Sequence, residues 1–234
     1  MDTALARKAF AELLGSALLA ATVVGSGIAA TRLTDDVALQ LFVNAAITGA
    51  ALVALILALG PVSAAFNPVV TLVERALGAI DNRAAAVFAL AQTTGCCLGV
   101  MLANLMYDLA AVDISIHERN GAHLLLSEVV ATFGLVVIIF GVVRSGRGTS
   151  VAYAVGGYIT AAYWFTSSTS FANPAITVGR MLTDTFAGID PVSAPGFIAA
   201  QVVGGALALG AVLALYPNAR VAAEELTRAA EIAP

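Results

Sequence analysis

Apolar residues fill six runs, at about 9–30, 37–59, 84–106, 122–143, 150–170 and 196–216. Each is long enough to cross a bilayer as a helix, which takes about 20 such residues. Two further apolar runs, at about 68–77 and 174–183, are too short to span and predict half-helices. Each half-helix opens on a proline, Pro68 or Pro174, at the first helical turn, where the missing N–H carries no penalty. An asparagine precedes each proline, so the two motifs read Asn67-Pro68-Val69 and Asn173-Pro174-Ala175. Irregular backbone at membrane depth persists only where protein buries it or a watery cavity receives it. The duplicated pair therefore points to a pore or a binding site.

The chain repeats itself. Ala11-Glu12-Leu13-Leu14-Gly15-Ser16 in the first span matches Ser127-Glu128-Val129-Val130-Ala131-Thr132 in the fourth. The stretch from Asn67 to Leu72 matches that from Asn173 to Val178, and Ala91-Gln92-Thr93-Thr94-Gly95 matches Ala200-Gln201-Val202-Val203-Gly204. Three spans per copy is an odd number, so the second copy enters the membrane from the opposite side. The expected fold is an all-α membrane protein with six transmembrane helices, two re-entrant half-helices and an inverted 3+3 repeat. One domain covers 1–234, with the first repeat at about 9–106, the second at about 122–216 and a tail at 217–234.

Composition agrees with a membrane chain and excludes a soluble one. Hydrophobic residues make up 60% and charged residues 11%, against roughly a quarter charged in soluble domains; the mean hydropathy is +0.93. The net charge of -4 and the lack of a basic stripe exclude nucleic acid as a partner. Cys96 and Cys97 sit inside an apolar run and read as small core residues, not as a disulfide or metal pair. The run after Arg7 and Lys8 is as long as a full span and lacks a small-residue cleavage site, so a retained first helix is expected. Six spans put both termini on one side. That side holds Arg7, Lys8, Arg75, Arg83, Arg144, Arg147, Arg220 and Arg228, against Arg32, Arg119 and Arg180 on the other. The bias predicts that both termini are cytoplasmic.

The two Asn-Pro motifs, the glutamates of spans one and four and the glutamines of spans three and six together resemble the aquaporin (major intrinsic protein) family over essentially the whole chain. That resemblance implies a passive channel for small neutral solutes in a bacterial cytoplasmic membrane, assembled as a homotetramer within the lipid bilayer, with no cofactor and no metal. Half-helix N-termini carry about half a positive charge each and leave N–H groups without partners. Two such ends facing one narrow lumen repel cations, and the amides of Asn67 and Asn173 can donate to a passing oxygen. Each asparagine is also a good helix cap, and both roles are expected together.

Where most family members carry arginine after the second Asn-Pro-Ala, this chain has Ile176. Counting back from the asparagines places the other filter positions at Thr48 or Ile47, at Thr160 or Ala161, and at Ser170 or Thr169. The expected ring is Thr48, Ala161, Ser170 and Ile176: wide, without arginine, and open to solutes larger than water. With Val69 in the first motif and the run Thr169-Ser170-Phe171-Ala172, such a filter resembles the branch linked to bacterial arsenic resistance. That likeness adds arsenous acid and its methylated trivalent forms to glycerol-like polyols and water. Glu74 and Arg180 stand seven residues beyond each asparagine, at opposite mouths; pairing with Arg75 and Asp184 is the favoured expectation over a role in solute entry.

Glu12 and Glu128 lie within spans, where an ionisable group is a functional candidate. A proton relay would imply a secondary transporter coupled to protons, the alternative function. The favoured expectation is that each accepts hydrogen bonds from the loop before a half-helix. No nucleophile–base or metal constellation supports an enzyme.

Overall fold

In the computed structural model, residues 2–216 are described and form eight α-helices. Arg220, Arg228 and the 217–234 tail lie outside the described residues. The helices are α1 (Thr3–Leu33), α2 (Val37–Leu59), α3 (Pro68–Leu77), α4 (Asn82–Met106), α5 (Ala122–Arg144), α6 (Val151–Phe165), α7 (Pro174–Arg180) and α8 (Ala194–Leu215). α3 and α7 are the two half-helices. The other six match the expected spans, and the inverted 3+3 order holds.

Several ends differ from expectation. α1 begins at Thr3 rather than near 9, and Asp2 caps it there by accepting from Ala4 N. α6 stops at Phe165 rather than near 170, because Thr166, Ser167 and Ser168 turn their hydrogen-bonding groups to neighbours. The Thr166 hydroxyl donates to Ala162 O at 2.6 Å, and Ser167 N donates to Ser127 Oγ at 3.1 Å. Side-chain competition of this kind draws the backbone out of a helix. α7 likewise ends at Arg180, not 183, since Met181 and Leu182 N–H already close 3-10-type bonds onto Val178 and Gly179 carbonyls.

α1 packs most extensively against α4 and α5 against α8, the same pair in each repeat, while α2 and α6 join the repeats. Both principal crossings are close because a glycine stands at the same place in each. A Cβ on Gly95 would come within 2.3 Å of Leu13 O, and one on Gly204 within 2.5 Å of Val129 O. Small residues let helix backbones approach where lipid offers no hydrophobic drive between helices. The half-helices are exchanged between repeats: α7 packs on α4, and α3 touches both α4 and α8.

Candidate functional site

Each loop leading to a half-helix has no sheet or helix to satisfy its backbone, and the bilayer supplies no water. A buried carboxylate serves instead. Glu12 accepts from Ser63 Oγ (2.5 Å), Ala65 N (2.9 Å), Phe66 N (2.8 Å) and Gln92 Nε2 (2.8 Å). Glu128 accepts from Ser168 Oγ (2.6 Å), Phe171 N (2.9 Å), Ala172 N (2.8 Å) and Gln201 Nε2 (2.7 Å). Each glutamine then donates to a threonine on the adjoining half-helix, Gln92 to Thr71 and Gln201 to Thr177, both at 2.9 Å. Both carboxylates are fully buried. Donors to a charged group of this kind each contribute about 1.5–3 kcal/mol.

The cradles hold strained backbone. Phe66 and Ala172, each just before its asparagine, both have φ of 49°. For a residue with a Cβ that region costs about 1–2 kcal/mol, and it persists where surrounding bonds over-determine it. The left-handed residue lets the chain turn from loop to half-helix while its own N–H stays on the glutamate.

Asn67 Oδ1 accepts from Val69 N at 2.9 Å, and Asn173 Oδ1 accepts from Ala175 N at 2.9 Å and Ile176 N at 3.3 Å. Each amide also reaches across to the opposite loop. Asn67 Nδ2 donates to Ala172 O and Asn173 Nδ2 to Phe66 O, both at 2.7 Å. The two N-termini therefore meet end to end, tied by a reciprocal pair of bonds. A side-chain amide has two N–H groups, so one on each asparagine remains after the tie.

Both asparagines line a single cavity of about 650 Å³. One end lies among Lys8, Glu74, Gly146 and Thr149; the other lies among Thr48, Tyr163, Ser170 and Arg180. Between them one wall is apolar, from Leu52, Leu135, Val155 and Ile159. The other wall is the two irregular loops, 60–66 and 170–171. A greasy wall facing a strip of hydrogen-bonding groups suits a molecule with both hydroxyls and hydrocarbon.

Of the expected filter residues, Thr48, Ser170 and Ile176 line this cavity and are buried. Ile47 is 47% exposed on the other face of α2. Ala161 is exposed and does not line the cavity, a correction to the expected ring. Thr160 faces α2, its hydroxyl donating to Gly156 O of its own helix at 2.8 Å and lying 3.4 Å from Ala45 O of α2. The α6 residue that faces the lumen is Tyr163, whose hydroxyl is 3.3 Å from Thr48 Oγ1. Its place was readable in the stripe Val155, Ile159, Tyr163, spaced four apart as one helix face requires. Thr71 and Thr177 were equally readable, each four residues past an asparagine. Ser170 Oγ is buried with no protein partner.

The charged residues beyond the half-helices depart from expectation. Arg75 Nε donates to Asn82 Oδ1 rather than pairing with Glu74, which lines the cavity. Arg180 does not pair with Asp184. Its side chain is only 3% exposed, its Nε donates to Ala187 O, and its guanidinium lies 3.3 Å from the centre of the Phe171 ring. Asp184 accepts from Ile116 N at 3.1 Å, within a segment (107–121) that crosses this end of the bundle. Ser115 N bonds Met181 O, and Asp190 N bonds His117 O. Arg119 on that segment donates to Gly188 O at 2.8 Å and stands 5.1 Å from the Phe171 ring. Burial lowers its pKa to about 10, offset by Glu128 and Tyr163, so it stays a cation at neutral pH. Burial first, then Arg119 and Arg180, depress the His117 pKa below its ordinary value of 6.5, while Asp184 opposes them. The imidazole is thus largely neutral at pH 7.

Comparison with known proteins gives one consistent likeness. The profile of the MIP family, "Major intrinsic protein", matches residues 1–152. The aquaglyceroporin AqpS of Rhizobium meliloti (strain 1021) is 49% identical over 217 residues, covering 92% of this chain and 93% of AqpS. The X-ray structure of the aquaglyceroporin from Plasmodium falciparum superposes with a TM-score of 0.71 over 93% of this chain and 99% of that one, at 20% identity.

Proposed function

This chain belongs to the major intrinsic protein family, and on that premise we propose a passive channel for small neutral solutes. It is a membrane channel and not an enzyme. Its solutes are glycerol-like polyols and water, with arsenous acid or methylated trivalent arsenicals as further candidates. The observation that carries this reading is the cavity itself, which passes both asparagines and runs from Lys8 and Glu74 to Ser170 and Arg180. Arsenous acid is uncharged at neutral pH and presents hydroxyls much as a polyol does.

The central constriction is Asn67, Pro68, Val69, Asn173, Pro174 and Ala175. The spare amide N–H of each asparagine donates to a passing oxygen, while the facing helix ends repel cations. A solute oriented this way cannot pass a proton to the next. The filter is Thr48, Ser170 and Ile176, with Tyr163 in place of Ala161. Ile176 leaves the level just beyond Ala175 without a guanidinium.

Proton-coupled transport is disfavoured by the cradles: Glu12 and Glu128 each hold four donors. Protonating either would displace loop N–H groups. The chain acts as one domain of two halves, 9–106 and 122–216, in a bacterial cytoplasmic membrane. Both termini are cytoplasmic, which the excess of Lys and Arg on their side of the membrane supports. Four copies associate, as the family resemblance implies.

Stopped-flow light scattering on purified protein in liposomes tests the reading with water, glycerol, urea and arsenous acid. Glycerol flux well above empty vesicles is expected. Flux no greater than empty vesicles, or uphill accumulation in a proton gradient, would overturn it.

A further inference from the structure

A buried arginine without a carboxylate is unusual in a membrane bundle, where charges pair with one another or face water. Arg180 is such a residue. Its protein partners among the described residues are the Ala187 carbonyl, through Nε, and the Phe171 ring. A guanidinium has five N–H donors, so four remain after Ala187 is served. The neighbouring carboxylate, Glu128, is already held by four donors of its own. Arg180 also lines the cavity, in company with Ser170, whose buried hydroxyl has no protein partner. The remaining Arg180 donors therefore adjoin the lumen, and what occupies the lumen can satisfy them.

Helix geometry explains how a residue one turn too far along reaches this place. Side chains on a helix lean toward its N-terminus and cover the preceding turn. From Arg180 that direction runs back along α7 toward Ile176. Phe171 fixes the final position: its N–H is held by Glu128, its ring packs edge-on against Phe197 at 5.1 Å, and its face carries the guanidinium. An arginine stacks on an aromatic ring in this way and keeps its edge free to donate.

We propose that Arg180, held on Phe171, supplies to the lumen the filter guanidinium that Ile176 lacks. The inference rests on the channel reading above. It makes the filter arginine-free only at the level of Ile176, with a cation on its outer rim. That cation excludes protons and metal ions and donates to solute hydroxyls beside Ser170. Phe171 is a positioning residue, acting through Arg180.

Proton leak, read from a trapped pH-sensitive dye, and glycerol flux are measured on the same liposomes for the wild type, Arg180→Met and Arg180→Lys. Arg180→Met is expected to raise the ratio of proton leak to glycerol flux on the order of tenfold. Arg180→Lys, which keeps the charge, stays within about threefold of the wild type. If Arg180→Met does not assemble, Ser170→Asp leaves the stacked arginine in place and neutralises it across the lumen. Ser170→Asp should leak protons where Ser170→Asn does not. An unchanged ratio in a conducting Arg180→Met or Ser170→Asp channel overturns the proposal, as does a lysine variant as leaky as the methionine one. Absence of glycerol flux in the wild type defeats the channel reading itself, a different result.

Discussion

The half-helices α3 and α7 begin alike and end differently. At their N-termini the two repeats agree nearly atom for atom: a glutamate with four donors, a left-handed residue at φ 49°, a capping asparagine and a crossed amide bond. At their far ends α3 finishes on Gly78, left-handed at φ 87°, with the Gly78 and Ala79 N–H groups bonded back to Arg75 and Glu74 carbonyls. α7 finishes instead on Met181 in right-handed geometry, under the segment that carries Ser115 and Arg119. The second loop also holds two more left-handed residues, Thr169 and Ser170. The shared joint does the same task twice, satisfying backbone that lipid cannot. The divergent ends set what each mouth presents, and only the second carries a stacked arginine.

Breaking a cradle should have the largest effect. Glu12→Gln and Glu128→Gln each turn an acceptor oxygen into a donor facing buried N–H groups. A loss of about 3 kcal/mol or more is expected for either, read as a lower unfolding midpoint in detergent. Similar losses support equivalent joints; a normal midpoint for one alone breaks the comparison.

Charge at the junction comes next. Asn67→Asp and Asn173→Asp place a carboxylate where two helix ends repel cations. A proton leak raised on the order of tenfold is expected in liposomes for both. An unchanged leak would remove the dipole explanation for the centre of the pore.

Ile176→Arg separates the outer half from the inner one. A guanidinium there, added to that of Arg180, should cut glycerol permeability about tenfold and water permeability only about twofold. Equal losses would show that Ile176 does not set the width of the filter. The smallest effect belongs to Gly78→Ala. Nothing lies within 4 Å of the added Cβ, so the strain of the left-handed backbone alone, about 1 kcal/mol, should appear as a slightly lower midpoint. No loss at all would mean that the α3 end is not held in that geometry.

Much of this architecture was legible in the chain. Apolar runs of the right length, a duplicated Asn-Pro motif and an odd number of spans per copy dictate an inverted bundle, because the bilayer accepts few other arrangements. The pairing of Glu12 with Glu128 and of Gln92 with Gln201 was legible too, since a repeat aligns residues whatever their contacts. What could not be read was where each side chain ends up across a gap in the helices. Counting from a motif gave Ala161, but α6 ends at Phe165, and the helix face turned to the lumen is that of Tyr163. Spacing likewise put Arg180 one turn outside the filter, beside Asp184.

Sequence by itself determined the spans, the two-fold repeat and the residues at the half-helix junction, because hydrophobic length and backbone satisfaction act locally. Tertiary structure alone decided the rim of the filter. Whether an arginine faces a carboxylate, solvent or a lumen depends on which loops close over it, and here Phe171 and the Ala187 carbonyl, brought together only by folding, hold it at the lumen.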